Sequence, residues 1–132
     1  MTADELQEYL ESLPDKVEQN VADVLQEQAR QLSDAQRAAL RAHQAAPEET
    51  GHLEQSTQVE TRDPLDVHVV AGGELTTTEV RTGSGEAWDY ALGFEFGTSR
   101  QPPRSFFWNT YRARKLEIDQ AISDAIGKAI ND

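Results

Sequence analysis

The sequence predicts an α+β fold: a long N-terminal helix, a small antiparallel sheet of about four strands and a C-terminal helix. Apolar residues recur every three or four positions up to about His43, the apolar period changes to two after Gly51, and a second helical stripe follows Pro102-Pro103. A chain of 132 residues has the size of one domain. We divide it into a helical segment (1–46), a sheet (47–97), a proline-rich arm (98–104) and a C-terminal helix (105–131).

The N-terminal helix is the clearest of these elements. Its apolar residues lie along one helical stripe, which consists of Leu6, Leu10, Leu13, Val17, Val21, Val24, Leu25, Leu32, Ala35, Ala39 and Leu40. Pro14 lacks the N–H group that an interior helix position donates. Ser12, followed three residues later by Asp15, is typical of a helix start. We therefore expect a break near Pro14, with a short first helix and a long second one.

Four short β-compatible runs follow the turn cluster at 47–51. They are 53–61, 66–71, 76–81 and 88–96, and they are separated by Asp63-Pro64, Gly72-Gly73 and Gly83-Ser84-Gly85. Because connections this short are typical of hairpins, we expect neighbouring strands to be antiparallel. In the last run, alternation places four side chains on the face that we expect to meet the long helix: Tyr90, Leu92, Phe94 and Phe96.

The residues after position 97 are predicted to form a stiff loop that leads into the last helix. Pro102 and Pro103 fix φ, and they push Gln101 into extended backbone. Ser105 is expected to cap a final helix that runs to about Ile130. The inner stripe of that helix is predicted to be Phe107, Tyr111, Ile118, Ile122, Ala125, Ile126 and Ala129.

Composition and charge exclude several classes of function. Asp and Glu number 24 against 12 Lys and Arg, and the net charge of −12 disfavours sequence-independent binding to DNA phosphates. The absence of Cys excludes disulfides, thiolate metal sites and cysteine nucleophiles. No apolar run approaches the ~20 residues of a membrane span, and the N-terminus is acidic where a signal peptide is basic. The sequence therefore predicts a soluble intracellular protein.

The acidity coincides with a scarcity of lysine, since the basic residues are 3 Lys and 9 Arg. This combination resembles proteins from salt-loving microbes, where a Debye length of about 3 Å at 1 M salt screens self-repulsion. We hypothesise a halophilic origin, with an ordinary acidic cytoplasmic protein as the alternative. A halophilic chain is expected to melt at a higher temperature in molar salt than at low ionic strength. Equal melting temperatures would contradict that origin.

The sequence contains no constellation typical of catalysis or metal binding. His43, His52 and His68 lie in none of the spacings of histidine metal sites. Ser84 lacks the Gly-x-Ser-x-Gly pattern of a nucleophile, and the glycine turns lack the lysine and the helix start of a phosphate loop. We therefore predict a protein that is not an enzyme and that uses no metal or cofactor.

One segment departs from the acidic composition. Between Glu95 and Glu117 there is no acidic residue, and five of the 12 basic residues lie there: Arg100, Arg104, Arg112, Arg114 and Lys115. Arginine and aromatic side chains are enriched in protein interfaces. We interpret the segment as a docking arm whose candidate residues are Arg100, Gln101, Pro102, Pro103, Arg104, Phe106 and Trp108. The alternative is that the aromatic residues belong to the core and the arginines neutralise the domain's own acids.

Three stretches of the chain resemble one known family. They are PEETGHL at 47–53, YALGFEFGT at 90–98 and QPPRSFF at 101–107. Their order and spacing are similar to those of the head-tail joining (neck or tail-completion) proteins of long-tailed bacteriophages and archaeal tailed viruses. The residues that match the family motif are Thr50, Gly51, Leu53, Tyr90, Ala91, Glu95, Phe96, Gly97 and Thr98. Ser105 stands where the family has Pro, and Phe107 where it has Leu.

The resemblance implies a structural virion protein of the head-tail junction that assembles in the host cytoplasm. It implies a ring of identical copies, a hexamer by expectation, between a connector protein and a tail terminator or tail tube protein. Genome DNA would pass through the lumen without specific binding, and no membrane would take part. Arg100 and Arg104 would engage acids on the next subunit. The alternatives are a tail terminator of the same type of virus and, given the charge of −12, an acidic DNA mimic that inhibits a host protein.

Overall fold

The computed structural model describes residues 2–43, 51–79, 87–99 and 101–131. The chain is mostly helical. The elements in chain order are α1 (Ala3–His43), α2 (His52–Ser56), β1 (Gln58–Asp63), β2 (Asp66–Val70), a 3₁₀ turn (Glu74–Thr76), β3 (Thr77–Glu79), β4 (Ala87–Asp89), α3 (Tyr90–Phe96) and α4 (Trp108–Asn131). The predicted long N-terminal helix, antiparallel strand pairing and C-terminal helix are therefore confirmed.

Helix α1 continues through Pro14, so the predicted break is wrong. The helix starts with a capping box: the Oγ1 of Thr2 accepts the N–H of Glu5 at 3.2 Å, and the Glu5 carboxylate accepts the N–H of Thr2 at 3.1 Å. Ser12, expected to start a second helix, donates its hydroxyl to the carbonyl of Tyr9 at 2.9 Å. Proline removes one helical hydrogen bond, and contacts with α4 on both sides of it, at Tyr9 and at Gln36, hold α1 as one element.

Helix α4 packs antiparallel along α1. The Tyr9 hydroxyl donates to the carbonyl of Ile130 at 2.5 Å near one end of the pair. The side-chain amide of Gln36 donates to the carbonyl of Phe107 at 3.1 Å near the other end. At 1.5 Å per residue, these two contacts lie about 40 Å apart along an α1 that is about 60 Å long. The two helices therefore form an elongated pair.

The limits and the inner stripe of α4 differ in part from the prediction. The helix begins at Trp108, after the expected cap Ser105, whose hydroxyl accepts the N–H of Asn109 at 3.3 Å. Ala125 and Ala129 are buried as predicted, whereas Ile126 is 38% exposed. One residue rotates a helix by about 100°, which turns Ile126 away from the side that buries Ala125.

The strands form two separate antiparallel pairs, so the predicted four-stranded sheet is not shown. Strand β1 pairs with β2, and Glu60 lies opposite His68. Strand β3 pairs with β4, and Thr77 lies opposite Asp89. The first strand also begins later than predicted, because residues 52–56 form α2 instead. The predicted turn at Gly83-Ser84-Gly85 lies outside the described residues.

The Gly72-Gly73 pair joins the two strand pairs and is not the predicted hairpin turn. Both residues have positive φ, 89° and 98°, a region that glycine enters without strain. The β1–β2 hairpin lies along α1, where the hydroxyl of Thr61 donates to the Gln26 side chain at 2.7 Å. The second pair, β3 with β4, follows after the glycines.

Residues 90–96 form α3, so the predicted fourth strand is wrong. The Asp89 carboxylate caps this helix by accepting the N–H of Ala91 at 2.9 Å. A short apolar run alternates equally well as a strand or as part of a buried helix, so periodicity alone does not separate the two. In the helix, Ala91 and Phe94 are buried, whereas Leu92 and Phe96, which we expected to face inward, are 57% and 62% exposed.

The core lies at the C-terminal end of α1. Its buried residues come from α1, α2, α3 and the end of the arm, and they are Leu40, Leu53, Ala91, Phe94 and Phe106. These elements are far apart in sequence, so burial at this point fixes the arm and the start of α4 to the rest of the chain. Two of the predicted docking residues are tied to this core: Phe106 is part of it, and Arg104 lies over the Phe94 ring.

Candidate functional site

The candidate site is the place where the end of α3, the arm (98–104) and the start of α4 meet, which we call the arm junction. Helix α3 ends at Gly97, whose φ of 81° favours glycine. A Cβ atom at Gly97 would lie 2.7 Å from the backbone nitrogen of Pro103. Glycine at this position therefore allows the arm to return against the end of α3.

The arm is closed by an internal hydrogen bond at its start and is bonded to α3 at its end. The N–H of Thr98 donates to the carbonyl of Gln101 at 2.9 Å, and the N–H of Arg104 donates to the carbonyl of Phe94 at 2.8 Å. The Arg104 guanidinium also lies 3.8 Å from the centre of the Phe94 ring, a cation–π contact. Arg104 thus covers the core of its own subunit.

The predicted docking residues differ in their accessibility. Gln101, Pro102, Pro103 and Trp108 are exposed, and Arg104 is half-buried. Phe106 is 1% exposed and belongs to the core, as the alternative interpretation held, so it is not accessible to a partner. Arg100 lies outside the described residues.

Glu95 holds the arm junction together. Its side chain is 6% exposed. Its carboxylate accepts hydrogen bonds from the Ser105 hydroxyl at 2.7 Å and from the N–H groups of Phe106, Phe107 and Trp108 at 2.8, 2.9 and 3.0 Å. A carboxylate at this place caps the N-terminus of α4 and complements the helix dipole. The end of α3 thereby fixes where α4 begins.

The same hydrogen bonds set the titration of Glu95. Burial by itself raises the pKa of its carboxyl. The N–H groups of Phe107 and Trp108, the Ser105 hydroxyl and the N–H of Phe106 lower it and outweigh burial, so the pKa lies below its ordinary value. Glu95 is therefore ionised at neutral pH.

Asp89 has a similar role at the start of α3, and we call the Glu95 and Asp89 carboxylates with their hydrogen-bond donors the two clamps. Its carboxylate accepts hydrogen bonds from the Thr76 hydroxyl, from the N–H of Gly73 at 2.6 Å and from the N–H of Ala91 at 2.9 Å. Burial raises the pKa of this carboxyl, but the three hydrogen bonds bring it below its ordinary value. A Cβ at Gly72 would lie 2.8 Å from the carboxylate, so the glycine turn packs directly against it.

We expect the two clamps to make folding acid-sensitive. Both pKa values are lower in the folded chain than in the unfolded chain, where Asp and Glu titrate at about 3.9 and 4.3. The stabilisation they provide is complete above those unfolded values and is lost as pH falls through the folded values. Urea unfolding between pH 7 and pH 3 checks this, with Glu95→Gln as the comparison. The variant should lose less stability on acidification than the wild type, and an equal loss would contradict a role for Glu95.

The surface beside Glu95 is apolar. A shallow cavity of about 210 Å³ is bordered by Leu92, Phe96, Phe107 and Trp108 among others. The side chains of Leu92, Phe96 and Trp108 are 57%, 62% and 45% exposed. Exposed apolar patches on a soluble domain typically mark interaction sites.

Basic side chains continue this surface along α4. Trp108, Arg112 and Lys115 follow each other at spacings of four and three, which places them on one side of the helix. All three are exposed; Arg112 donates to the Asn109 side chain at 3.4 Å, and Lys115 is paired with the Asp119 carboxylate, one turn further along α4, at 3.3 Å. Arg114 is half-buried and donates to Gln31 of α1 at 3.0 Å. The outer side of α4 therefore combines aromatic surface with positive charge, which suits docking of an acidic partner.

The residues of the family motif lie around the same junction. Leu53 and Ala91 are core residues, Glu95 caps α4, and Gly97 packs against Pro103. Phe96 is exposed beside the cavity, and Thr50 lies outside the described residues. The remaining members are Gly51, with a φ of 80°, Tyr90, which packs against the core, and Thr98, which is hydrogen-bonded within the arm.

The described residues were compared with the requirements of a metal site and of a membrane-spanning helix. No group of three His, Cys, Asp or Glu residues lies there in a position to hold a metal ion. Among the described helices, none is long and apolar enough to cross a membrane. His68, which sits on β2, has its Nε2 2.7 Å from the Asp66 carboxylate.

Comparison with known proteins finds no family model, no curated protein and no solved structure that matches this chain.

Proposed function

We propose that this protein is a structural component of the head-tail neck of a tailed virus, acting in head-tail joining or tail completion. The observation that best supports the proposal is that four of the described motif residues, Leu53, Ala91, Glu95 and Gly97, lie in the core and at the arm junction. Glu95 holds the start of α4, and Gly97 lets the arm return onto Pro103. A motif whose residues depend on one another in this way is harder to match by chance than scattered identities.

The arm junction gives this role a docking surface. Leu92, Phe96 and Trp108 are exposed apolar side chains on a chain of net charge −12, and Arg112 and Lys115 extend the surface with positive charge. Aromatic and arginine side chains at one place are typical of interface centres. The proposed partners are copies of the same chain in a ring, a hexamer in our proposal, and the connector and tail proteins on either side of it.

The proposed place in the virion leads to a direct test. The protein should be found in purified particles by mass spectrometry, and antibody labelling should place it at the head-tail junction. Direct contact with the last ring of the tail tube would identify it as a tail terminator instead. Presence in infected-cell lysate together with absence from purified particles would contradict the proposal and favour an acidic inhibitor.

Replacing Arg112 with glutamate is expected to lower the yield of infectious particles at least tenfold. Arg112 is exposed and contacts Asn109 at 3.4 Å, so the variant should fold as the wild type does. A reversed charge at an interface disturbs pairing more than core packing. Arg104 is less suited to this test, because its guanidinium also covers the Phe94 ring.

The matched control is Arg62→Glu, on the β1–β2 hairpin. It makes the same change of charge at an exposed residue away from the arm junction, where Arg62 lies 3.4 Å from Glu60. Melting temperatures of both variants establish that they fold. A wild-type particle yield from Arg112→Glu, or an equal loss from Arg62→Glu, would contradict docking through α4.

A further inference from the structure

The N-terminal end of α1 carries a second apolar surface. Leu6 and Leu10 are 46% and 56% exposed. Leu10, Leu13 and Val17 border an open groove of about 570 Å³ whose other wall includes Leu65, itself 52% exposed, from the β1–β2 turn. We call Leu6, these three α1 residues and Leu65 the α1 surface. Aliphatic side chains this exposed, grouped on one side of a helix, need a partner to become buried.

The α1 surface is strongly acidic. Residues 2–18 contain one lysine, Lys16, and six carboxylates: Asp4, Glu5, Glu8, Glu11, Asp15 and Glu18. All six carboxylate side chains are exposed. A contact between two copies of the α1 surface would bring twelve carboxylates together, and like charges at short range oppose such a contact.

The arm junction and the outer side of α4 have the opposite charge. We call their exposed apolar and basic residues the α4 surface; they are Leu92, Phe96, Trp108, Arg112, Lys115 and Leu116. Leu116 is 84% exposed. No acidic residue occurs between Glu95 and Glu117 in the sequence. Lys115 is paired with Asp119 at the edge of the α4 surface, so the positive charge of this surface centres on Arg112, which donates to the neutral Asn109 side chain. The α4 surface is therefore apolar with a cationic centre, where the α1 surface is apolar and acidic.

The two surfaces lie in opposite halves of the α1–α4 helix pair. The contact of Tyr9 with Ile130 marks one end of the helix pair, and the contact of Gln36 with Phe107 marks the other. These contacts are about 40 Å apart at 1.5 Å per residue; the α1 surface reaches inward to Val17 and the α4 surface to Leu116, which leaves about 15 Å of helix between the two surfaces of one chain. A contact between unlike surfaces of two chains leaves one surface of each kind unused, and repetition gives a ring or a filament.

We infer that copies of this chain associate head to tail, with the α1 surface of one copy docked on the α4 surface of the next. The occupant is a second copy because the two surfaces carry opposite charge and because both expose apolar side chains that a contact between them would bury. The existence of a ring rests on the proposed function; the inference adds that the α1 and α4 surfaces form the contact between neighbouring copies in that ring.

Cross-linking between single-cysteine variants tests the inference, since the natural chain has no Cys. Leu10→Cys and Leu116→Cys place one thiol in each surface at side chains that are already exposed. The two proteins are mixed and treated with a short bismaleimide. The expected product is the mixed dimer, in at least tenfold excess over the dimers that either variant forms alone.

Ser123→Cys is the matched control for Leu116→Cys, because Ser123 is exposed on α4 outside the α4 surface. Its mixture with Leu10→Cys should give at least tenfold less mixed dimer. Equal cross-linking of the control, predominance of dimers from one variant alone, or no cross-linking at millimolar protein would each overturn the inference. The double variant Leu10→Cys/Leu116→Cys should give a ladder of multimers, and a product that stops at the dimer would also overturn it.

The outcomes separate this inference from the proposed function. Head-to-tail cross-linking of a protein that is absent from purified particles would leave the inference standing and remove the neck role. A neck protein in purified particles whose α1 and α4 surfaces fail to cross-link would keep the role and overturn the inference. The cysteines can also be introduced into particles, where cross-linking reports on the assembled ring directly.

Discussion

Replacing Phe106 with alanine is expected to lower the free energy of unfolding by about 3 to 5 kcal/mol. Phe106 is 1% exposed, and its ring packs edge-on against Phe94 with the ring centres 5.7 Å apart. It belongs to the core cluster that also includes Leu40 and Leu53, so the cavity left by alanine would open where four elements meet. Urea unfolding followed by circular dichroism at pH 7 measures the change.

Phe96→Ala is the control for this substitution. It removes the same side chain from a position that is 62% exposed, and the expected change is below about 1 kcal/mol. A loss at Phe96 as large as the loss at Phe106 would contradict the assignment of Phe106 to the core and of Phe96 to the surface. The pair thus tests the helical geometry of α3 as well, because a strand would bury Phe96.

Replacing Glu95 with glutamine is expected to lower the free energy of unfolding by about 2 to 4 kcal/mol. The carboxylate accepts three N–H groups and one hydroxyl. Glutamine has one acceptor oxygen where glutamate has two, and its side-chain NH₂ group would lie against two of the donors. Those two donors therefore lose their acceptor, and the remaining hydrogen bonds lose the negative charge that strengthens them. Urea unfolding gives the loss, and amide hydrogen exchange at Phe107 and Trp108 should become faster.

Glu60→Gln provides the comparison for Glu95→Gln. Glu60 lies on β1, where its carboxylate is 3.4 Å from the Arg62 guanidinium. A surface ion pair of this kind contributes less than about 1 kcal/mol, so the same chemical change should have little effect there. Unchanged stability of Glu95→Gln, or unchanged exchange at the start of α4, would contradict the capping role.

The helices were the most predictable part of the fold. The stripe from Leu6 to Leu40 predicts α1, because spacings mostly of three and four residues sustained over this length are typical of a helix and not of a strand. The break at Pro14 was wrong because one lost hydrogen bond costs less than disrupting a helix that packs along most of its length. For residues 90–96 the sequence predicts a strand where the structure has helix α3, because a run of seven residues fits the strand period of two as well as the helix period of about 3.6. The Asp89 side chain caps α3, but an aspartate in that position identifies a helix start only once the helix is known.

The candidate site was predictable only in its location. The acid-free segment pointed to the arm junction, and the sequence left open whether its aromatic residues bind a partner or form the core. In the structure Phe106 is buried in the core and Trp108 is exposed, a difference that cannot be read from a run of neighbouring aromatic residues in the sequence. Glu95 accepts hydrogen bonds from residues 105–108, which are ten to thirteen positions later in the sequence and reach its carboxylate only because the arm turns back. A local sequence pattern does not predict a contact of this kind. The feature of the sequence that could have singled out Glu95 is its position as the last acidic residue before the acid-free segment.

The placement of the two tryptophans gives the unmodified chain an optical reporter. Trp88 packs so closely on α3 that a Cβ at Gly93 would lie 2.7 Å from its ring, and Trp108 borders the cavity of the arm junction. The chain has two tryptophans, so all of its indole fluorescence originates at this one region. Covering that region with a neighbour would shift the emission to shorter wavelength, and covering the far end of α1 would not. Assembly can therefore be followed in real time without attaching a dye.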